Sequence, residues 1–209
     1  QGSQYVGMGK DFYEAFPESK AVFDTADKVL GFPLTKLCFE GPLEELTRTK
    51  NCQPAVLTVS IAALEAFKSS IPASPAGSIQ YTAGLSLGEY SALVASGVFD
   101  FEEALRLVRK RAELMEAQAE KHPGKMSAIL GLERKVAEDI CRESKAEIAN
   151  LNCPGQIVIS GKAEAVEKAK ALATGSGAKR VIDLEVSGAF HSSLMKEAAV
   201  EFMVFLGRS

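Results

Sequence analysis

Hydrophobic positions recur along this chain at two spacings, and the texture changes near residue 125. Before it, Phe12, Phe16, Val22, Phe23, Ala26 and Leu30 fall at helical spacing. They predict helix over 11–30, split by Pro17 and stopped by Gly31. Pro42 to Leu46 predicts one helical turn with proline at its start. After Gln53-Pro54 the run 55–67 is apolar on every side and predicts a buried helix. Residues 71–77, rich in proline, serine and glycine, predict a surface loop. Asp100 and Glu103 form an Asp-x-x-Glu helix start, and Ala104, Leu107, Val108, Leu114 and Met115 share the face that follows.

Beyond residue 125 short apolar runs alternate with helical ones. The pattern predicts a strand over 126–131, a helix over 134–145 and two strands within 146–161 around Asn152-Cys153-Pro154-Gly155. A helix over 162–174 and a strand over 179–186 complete the order βαββαβ, a split βαβ, ferredoxin-like arrangement. Such strands pair among themselves, so 125–186 reads as a small subdomain inserted in a larger one. The larger domain then occupies 1–124 and is rejoined by 187–209. A last helix over 194–205 would be capped by Ser192 or Ser193.

Composition narrows the function classes. The 209 residues can bury a sizeable core. A net charge of −3 and a pI near 5.6 argue against nucleic acid or an anionic membrane as the main partner. No apolar run approaches a membrane span, and no leader segment is visible before the polar start Gln1-Gly2-Ser3-Gln4. Cys38, Cys52, Cys141 and Cys153 have no metal-binding spacing and read as free thiols packed in a core, in a reducing compartment. No metal site is expected.

The candidate chemistry centres on Gly84-Leu85-Ser86-Leu87-Gly88. The run 78–83 before it predicts a strand, and 89–96 after it predicts a helix that Gly97 stops. Strand, sharp turn and helix are the setting of a nucleophile elbow. There the serine backbone is strained, the residues two before and two after are small, and helix N–H groups face any oxyanion formed at the hydroxyl. The alternative is a tight turn with a solvated serine. Arg111 lies in the middle of an apolar helical stripe, at about 20° from Ala104 and about 40° from Leu107 and Met115. A guanidinium there needs an anionic partner: an internal carboxylate, a route to solvent, or a ligand. A serine needs a base, and there are two histidines. His122 sits in a polar loop. His191 follows Gly188-Ala189-Phe190 at a helix start, which makes Ser86–His191 the candidate pair, with a capping or packing role for His191 as the alternative.

Several segments together carry a resemblance: Gln1-Gly2-Ser3-Gln4 with Val6-Gly7-Met8-Gly9, Gln53-Pro54-Ala55, Gly84 to Tyr90, Arg111 with Met115, Asn152-x-Pro154-Gly155-Gln156 and Gly188-Ala189-Phe190-His191-Ser192. In order along almost the whole chain, they resemble the malonyl-CoA:acyl-carrier-protein transacylase family. The resemblance implies a large, hydrolase-like α/β domain with an inserted small ferredoxin-like subdomain. It implies that Ser86 attacks a thioester and holds the malonyl group as an oxygen ester, with His191 as base and then acid. The backbone N–H groups of Leu87 and Gln1 would form the oxyanion hole, and Arg111 would grip the malonyl carboxylate. Gln53, Met115, Asn152 and Phe190 would line the pocket, the Phe190 ring crowding an α-methyl group.

By the same resemblance, malonyl-CoA is a substrate, no cofactor is held, and the partner is an acyl carrier protein in fatty-acid synthesis. Lys121, Lys125, Lys179 and Arg180 are candidates to meet that acidic partner; otherwise they form a solvated face. A monomer in the cytoplasm, or in an organelle matrix or stroma, is expected. Leu85 stands where many relatives carry histidine. The family begins with a strand before Gln1 and continues well beyond residue 209, where a backbone carbonyl orients the base, so the chain is expected to be truncated at both ends. Two other readings compete: a serine esterase on the same elbow, and a non-catalytic fragment or carrier-binding module.

Overall fold

Proline, glycine and a change of hydrophobic period set where the elements of this chain begin and end. The computed structural model describes residues 2–71, 80–186 and 188–207. The first helices are α1 (Lys10–Ala15) and α2 (Pro17–Leu30), with Pro17 opening the second and Gly31 closing it in the left-handed conformation. Next come α3 (Leu34–Glu40), α4 (Leu43–Thr47), α5 (Thr49–Ser70), α6 (Gly88–Ala95) and α7 (Phe101–Lys121). The Asp100 carboxylate accepts the Glu103 N–H at 2.7 Å, as the start signal of α7 predicts. The chain continues as β1 (Lys125–Leu130), α8 (Arg134–Ser144), β2 (Glu147–Cys153), β3 (Gln156–Gly161), α9 (Ala163–Gly175) and β4 (Arg180–Asp183). A 3-10 turn (Ser193–Met195) leads into α10 (Lys196–Leu206).

Two compact units result, Ser3–Glu113 and Leu114–Ser209. The first is built around α2 and α5. Phe23, Leu34, Leu46, Leu57, Leu105 and Val108 are fully buried in its core, and Tyr13, Phe23 and Phe39 meet edge to face or tilted. Helix α5 starts at Thr49, six residues before the predicted start at Ala55, so Pro54 lies inside it. Proline has no N–H to give the carbonyl of Lys50. The Arg109 guanidinium takes that place, donating to the Lys50 oxygen at 2.9 Å. Nor is α5 buried all round: Phe67 is exposed. Close to the start of the chain the backbone is also anchored. Met8 is buried, and the Gly7 N–H bonds to the Cys38 carbonyl at 2.8 Å.

The second unit holds a four-stranded antiparallel sheet in the order β2-β3-β1-β4. Side chains alternate across it, as a period of two requires. Ile129 and Ile159 face α8 and α9, packing with Ile140, Val166 and Ala169. Met126, Ala128 and Val158 face the other way and meet Ala119, Phe190 and Met195. A sheet with apolar residues on both faces needs two covers. The end of α7 and the turn around Phe190 supply the second.

Three expectations shift accordingly. The units divide at 113/114, inside α7, where the sequence suggested 124/125, and Phe190 and Met195 pack on the sheet. The expected strand over 78–83 is absent where it is described. Residues 80–84 have no ladder, because no described strand lies beside them to complete its hydrogen bonds, and residues 72–79 fall outside the described residues. Cys38, Cys52 and Cys141 are buried free thiols, but Cys153 is exposed at the end of β2. Burial pushes the Cys38 thiol up to about 12 and the Cys141 thiol to about 11, which keeps both protonated and inert.

Candidate active site

Ser86 stands on a turn that few side chains tolerate. Its φ is +54°, in the left-handed region. The cause is the path of the chain into α6, which folds back over Gly84. A Cβ on Gly84 would lie 2.0 Å from the Gly88 carbonyl oxygen and 2.1 Å from its carbon. Only glycine fits there. Gly88 differs: a Cβ there would meet nothing within 4 Å. The requirement for a small residue on both sides of the serine therefore holds only on the first. Leu87, next after the serine, is buried in the first unit's core and pins the turn, while Leu85 points outward. The Leu87 N–H, at the N-cap of α6, has no acceptor among the described residues. It belongs to the end of a helix that favours negative charge. Gln1, the other expected donor, lies outside the described residues.

Arg111 reaches this turn from α7. Its Nη2 donates to Ser86 Oγ at 3.0 Å, and its Nη1 donates to Oε1 of Gln53, a residue fully buried on α5. The Tyr90 ring lies under the guanidinium carbon, 5.8 Å from centroid to Cζ. Among the described residues no carboxylate forms an ion pair with Arg111. Of the three alternatives its position on the stripe left open, this removes the internal carboxylate. The cation is held by neutral oxygens and an aromatic face, not by an internal acid. Burial lowers its pKa, with Tyr90 and Glu89 acting in the opposite sense. A guanidinium starts so high that it stays charged. Burial likewise raises the Tyr90 hydroxyl, against the pull of Arg111.

The structure thus brings Gln53, Ser86, Leu87 and Arg111 together in the first unit. It adds Tyr90, which sequence reasoning passed over; its place four residues after Ser86, one helical turn on, was the available signal.

The other expected residues belong to the second unit. His191 is exposed and has a φ of +58°. Among the described residues three non-glycines have positive φ. Lys145 is the ordinary case, a left-handed residue closing α8. The other two are Ser86 and His191. Strain of this kind costs about 1–3 kcal/mol and persists only where the surroundings enforce it. Phe190 is buried, and Met115 packs against the same cluster, so both side chains serve the core of the sheet unit. Asn152 is exposed at an irregularity of the β2–β3 ladder, between Leu151 and Cys153. Of the surface bases, Lys125 is paired with Glu167 at 2.8 Å and Lys179 packs its stem over Gly131.

Known proteins share this arrangement of sequence and fold. A family profile described as an acyl transferase domain matches residues 1–206. The malonyl CoA-acyl carrier protein transacylase of Bacillus subtilis (strain 168) is 53% identical over 204 residues, which cover 95% of this chain and 63% of that protein. Among solved structures, the malonyl CoA-acyl carrier protein transacylase of Coxiella burnetii superposes with a TM-score of 0.92 at 37% identity, covering 99% of this chain and 66% of that one. The malonyl-transacylase solved in complex with a type II PKS acyl-carrier protein superposes with a TM-score of 0.90 at 41% identity, covering 99% and 67%. The chain therefore spans about two thirds of the length of these relatives.

Proposed function

The chain belongs to the acyl transferase domain family, and on that premise we propose that it moves a malonyl group from coenzyme A to the phosphopantetheine thiol of an acyl carrier protein. The observation that carries this reading is the Arg111 guanidinium, 3.0 Å from Ser86 Oγ and in no ion pair with a carboxylate among the described residues. A malonyl thioester ends in a carboxylate a short way from the carbonyl that the serine attacks. A carboxylate competes for a guanidinium better than the neutral oxygens of Gln53 and Ser86, because charge-assisted bonds are roughly twice as strong. Binding therefore draws Arg111 onto the substrate and frees the Ser86 lone pair for attack.

Ser86 Oγ then bonds to the carbonyl carbon while His191 accepts its proton. The Leu87 N–H steadies the oxyanion, and Gln1 is the second donor; each is worth about 3 kcal/mol of barrier. Collapse breaks the carbon–sulfur bond, and His191 returns the proton to the departing thiolate. The carrier's thiol reverses these steps, losing its proton to His191 as it takes the acyl group. The matching left-handed backbones of Ser86 and His191 support their roles. Gln53 positions Arg111, and Tyr90 shields the pair from water. The reading extends to fold and setting: a hydrolase-like α/β domain with a ferredoxin-like subdomain, acting as a monomer in the cytoplasm or an organelle matrix. The order β2-β3-β1-β4 and the buried free thiols support these two parts.

The test is to incubate the protein with malonyl-CoA and weigh it intact. One malonyl group should add, and Ser86→Ala should abolish the adduct. Arg111→Ala should slow malonyl loading by about 30-fold or more, the cost of losing a buried charge pair, while acetyl loading holds or rises. Equal loss for both acyl groups would indicate an esterase-like site, and no adduct on the unaltered protein would indicate a binding module.

A further inference from the structure

The turn that carries His191 is tied down from a distance. Its own bonds are local: Ser192 Oγ donates to the Ala189 carbonyl at 2.7 Å and accepts the Leu194 N–H at 3.3 Å. Local bonds travel with the turn and do not fix it to the rest of the unit. Two contacts do. Gln118 on α7 donates its Nε2 to the Leu194 carbonyl at 2.9 Å. The stronger one comes from Glu147, the first residue of β2. Both its carboxylate oxygens accept the Ser193 N–H, each at 3.0 Å, and Oε1 accepts the Ser193 hydroxyl at 2.6 Å. Glu147 is itself held in the ladder opposite Ser160 on the central strand β3.

We infer that Glu147 is a positioning residue, which holds the His191 turn in its left-handed backbone by clamping Ser193 to the sheet. The inference rests on the reading of His191 as the base for Ser86. A left-handed non-glycine relaxes unless neighbouring bonds oppose it. The chain leaves His191 and must enter the 3-10 turn at Ser193, only two residues on. Fixing the Ser193 N–H fixes the direction of that exit, and with it the backbone of His191. The carboxylate suits the task because it is charged, accepts bonds at both oxygens, and faces the N–H groups at a helical start.

The experiment follows malonylation of Ser86 in the full 209-residue protein by rapid quench and intact mass over a range of malonyl-CoA concentrations. Glu147→Ala should lower the limiting rate constant roughly 10- to 100-fold, as a small misplacement of a catalytic group does. The half-saturating concentration and the fraction of protein finally malonylated should not change. Glu147→Gln keeps an oxygen acceptor and should recover most of the rate. An unchanged rate constant in Glu147→Ala would overturn the inference, as would a fall only in the fraction malonylated, which marks misfolded protein. If the unaltered protein acquires no malonyl group, the reading of the site has failed, and amide exchange then decides the clamp. The Ser193 amide should exchange about tenfold faster in Glu147→Ala, with Leu194 unchanged; equal Ser193 rates would overturn it.

Discussion

The two strained turns reach the same backbone conformation by opposite means. At Ser86 the strain is enforced by crowding. The chain passes so close over Gly84 that no side chain fits beneath it, and buried Leu87 locks the far side. At His191 we read bonds from Glu147 on one element and Gln118 on another as the hold, added to the close approach of Gly188 to Ala119. Crowding is short in sequence and leaves a written mark, a glycine. Bonding spans 46 residues between Glu147 and Ser193 and leaves no mark that sequence can show. A side chain held by crowding cannot drift, and one held by hydrogen bonds can be tuned by a single substitution.

Substitutions that add one methyl group test this contrast. The largest effect should come from Gly84→Ala. Its Cβ would meet backbone, which cannot give way, so we expect a loss of about 4 kcal/mol or more in chemical denaturation, together with loss of Ser86 malonylation. A mild effect would mean that crowding does not hold the turn. Gly188→Ala comes second. Its Cβ would sit 2.4 Å from the Ala119 Cβ, a side-chain atom on α7. Overpacking of that kind costs about 1–3 kcal/mol, and it should slow malonylation by shifting the turn rather than by unfolding the first unit. The smallest should be Gly88→Ala, where the space is open. Alanine at this helical position should leave stability within about 1 kcal/mol, and on the favourable side. If Gly88→Ala proved as damaging as Gly84→Ala, the two glycines would be equivalent and the asymmetry drawn from their surroundings would fail.

Apart from α3, which was not read, and the expected strand over 78–83, most elements were legible to within a few residues, because hydrophobic period and turn residues act locally. Pro17, Gly31, Gly97 and Asp100 punctuate the first unit where the pattern put them. The second unit's strands and helices follow the order read from the chain. The start of α5 was missed because Pro54 looks like a beginning. It sits inside the helix only because Arg109, 59 residues away from Lys50, supplies the donor that proline lacks. The packing of Phe190 and Met195 on the sheet was not legible for a related reason. An amphipathic sheet shows that it needs a cover on its second face, but not which segment provides it.

The candidate site divides in the same way. Ser86 in its turn and Arg111 on an apolar stripe could be picked out from spacing, since a strained elbow needs glycine and a charge on a greasy face stands out against its neighbours. What spacing could not say was what satisfies the charge. A guanidinium finds its partners through space, at distances set by how α5, α6 and α7 pack, and those partners turned out to be Gln53, Ser86 and the ring of Tyr90. The residue types and their local geometry were thus determined by the sequence alone, because backbone sterics act between neighbours. Which groups meet was decided only by the tertiary structure, because packing joins residues that no local rule connects.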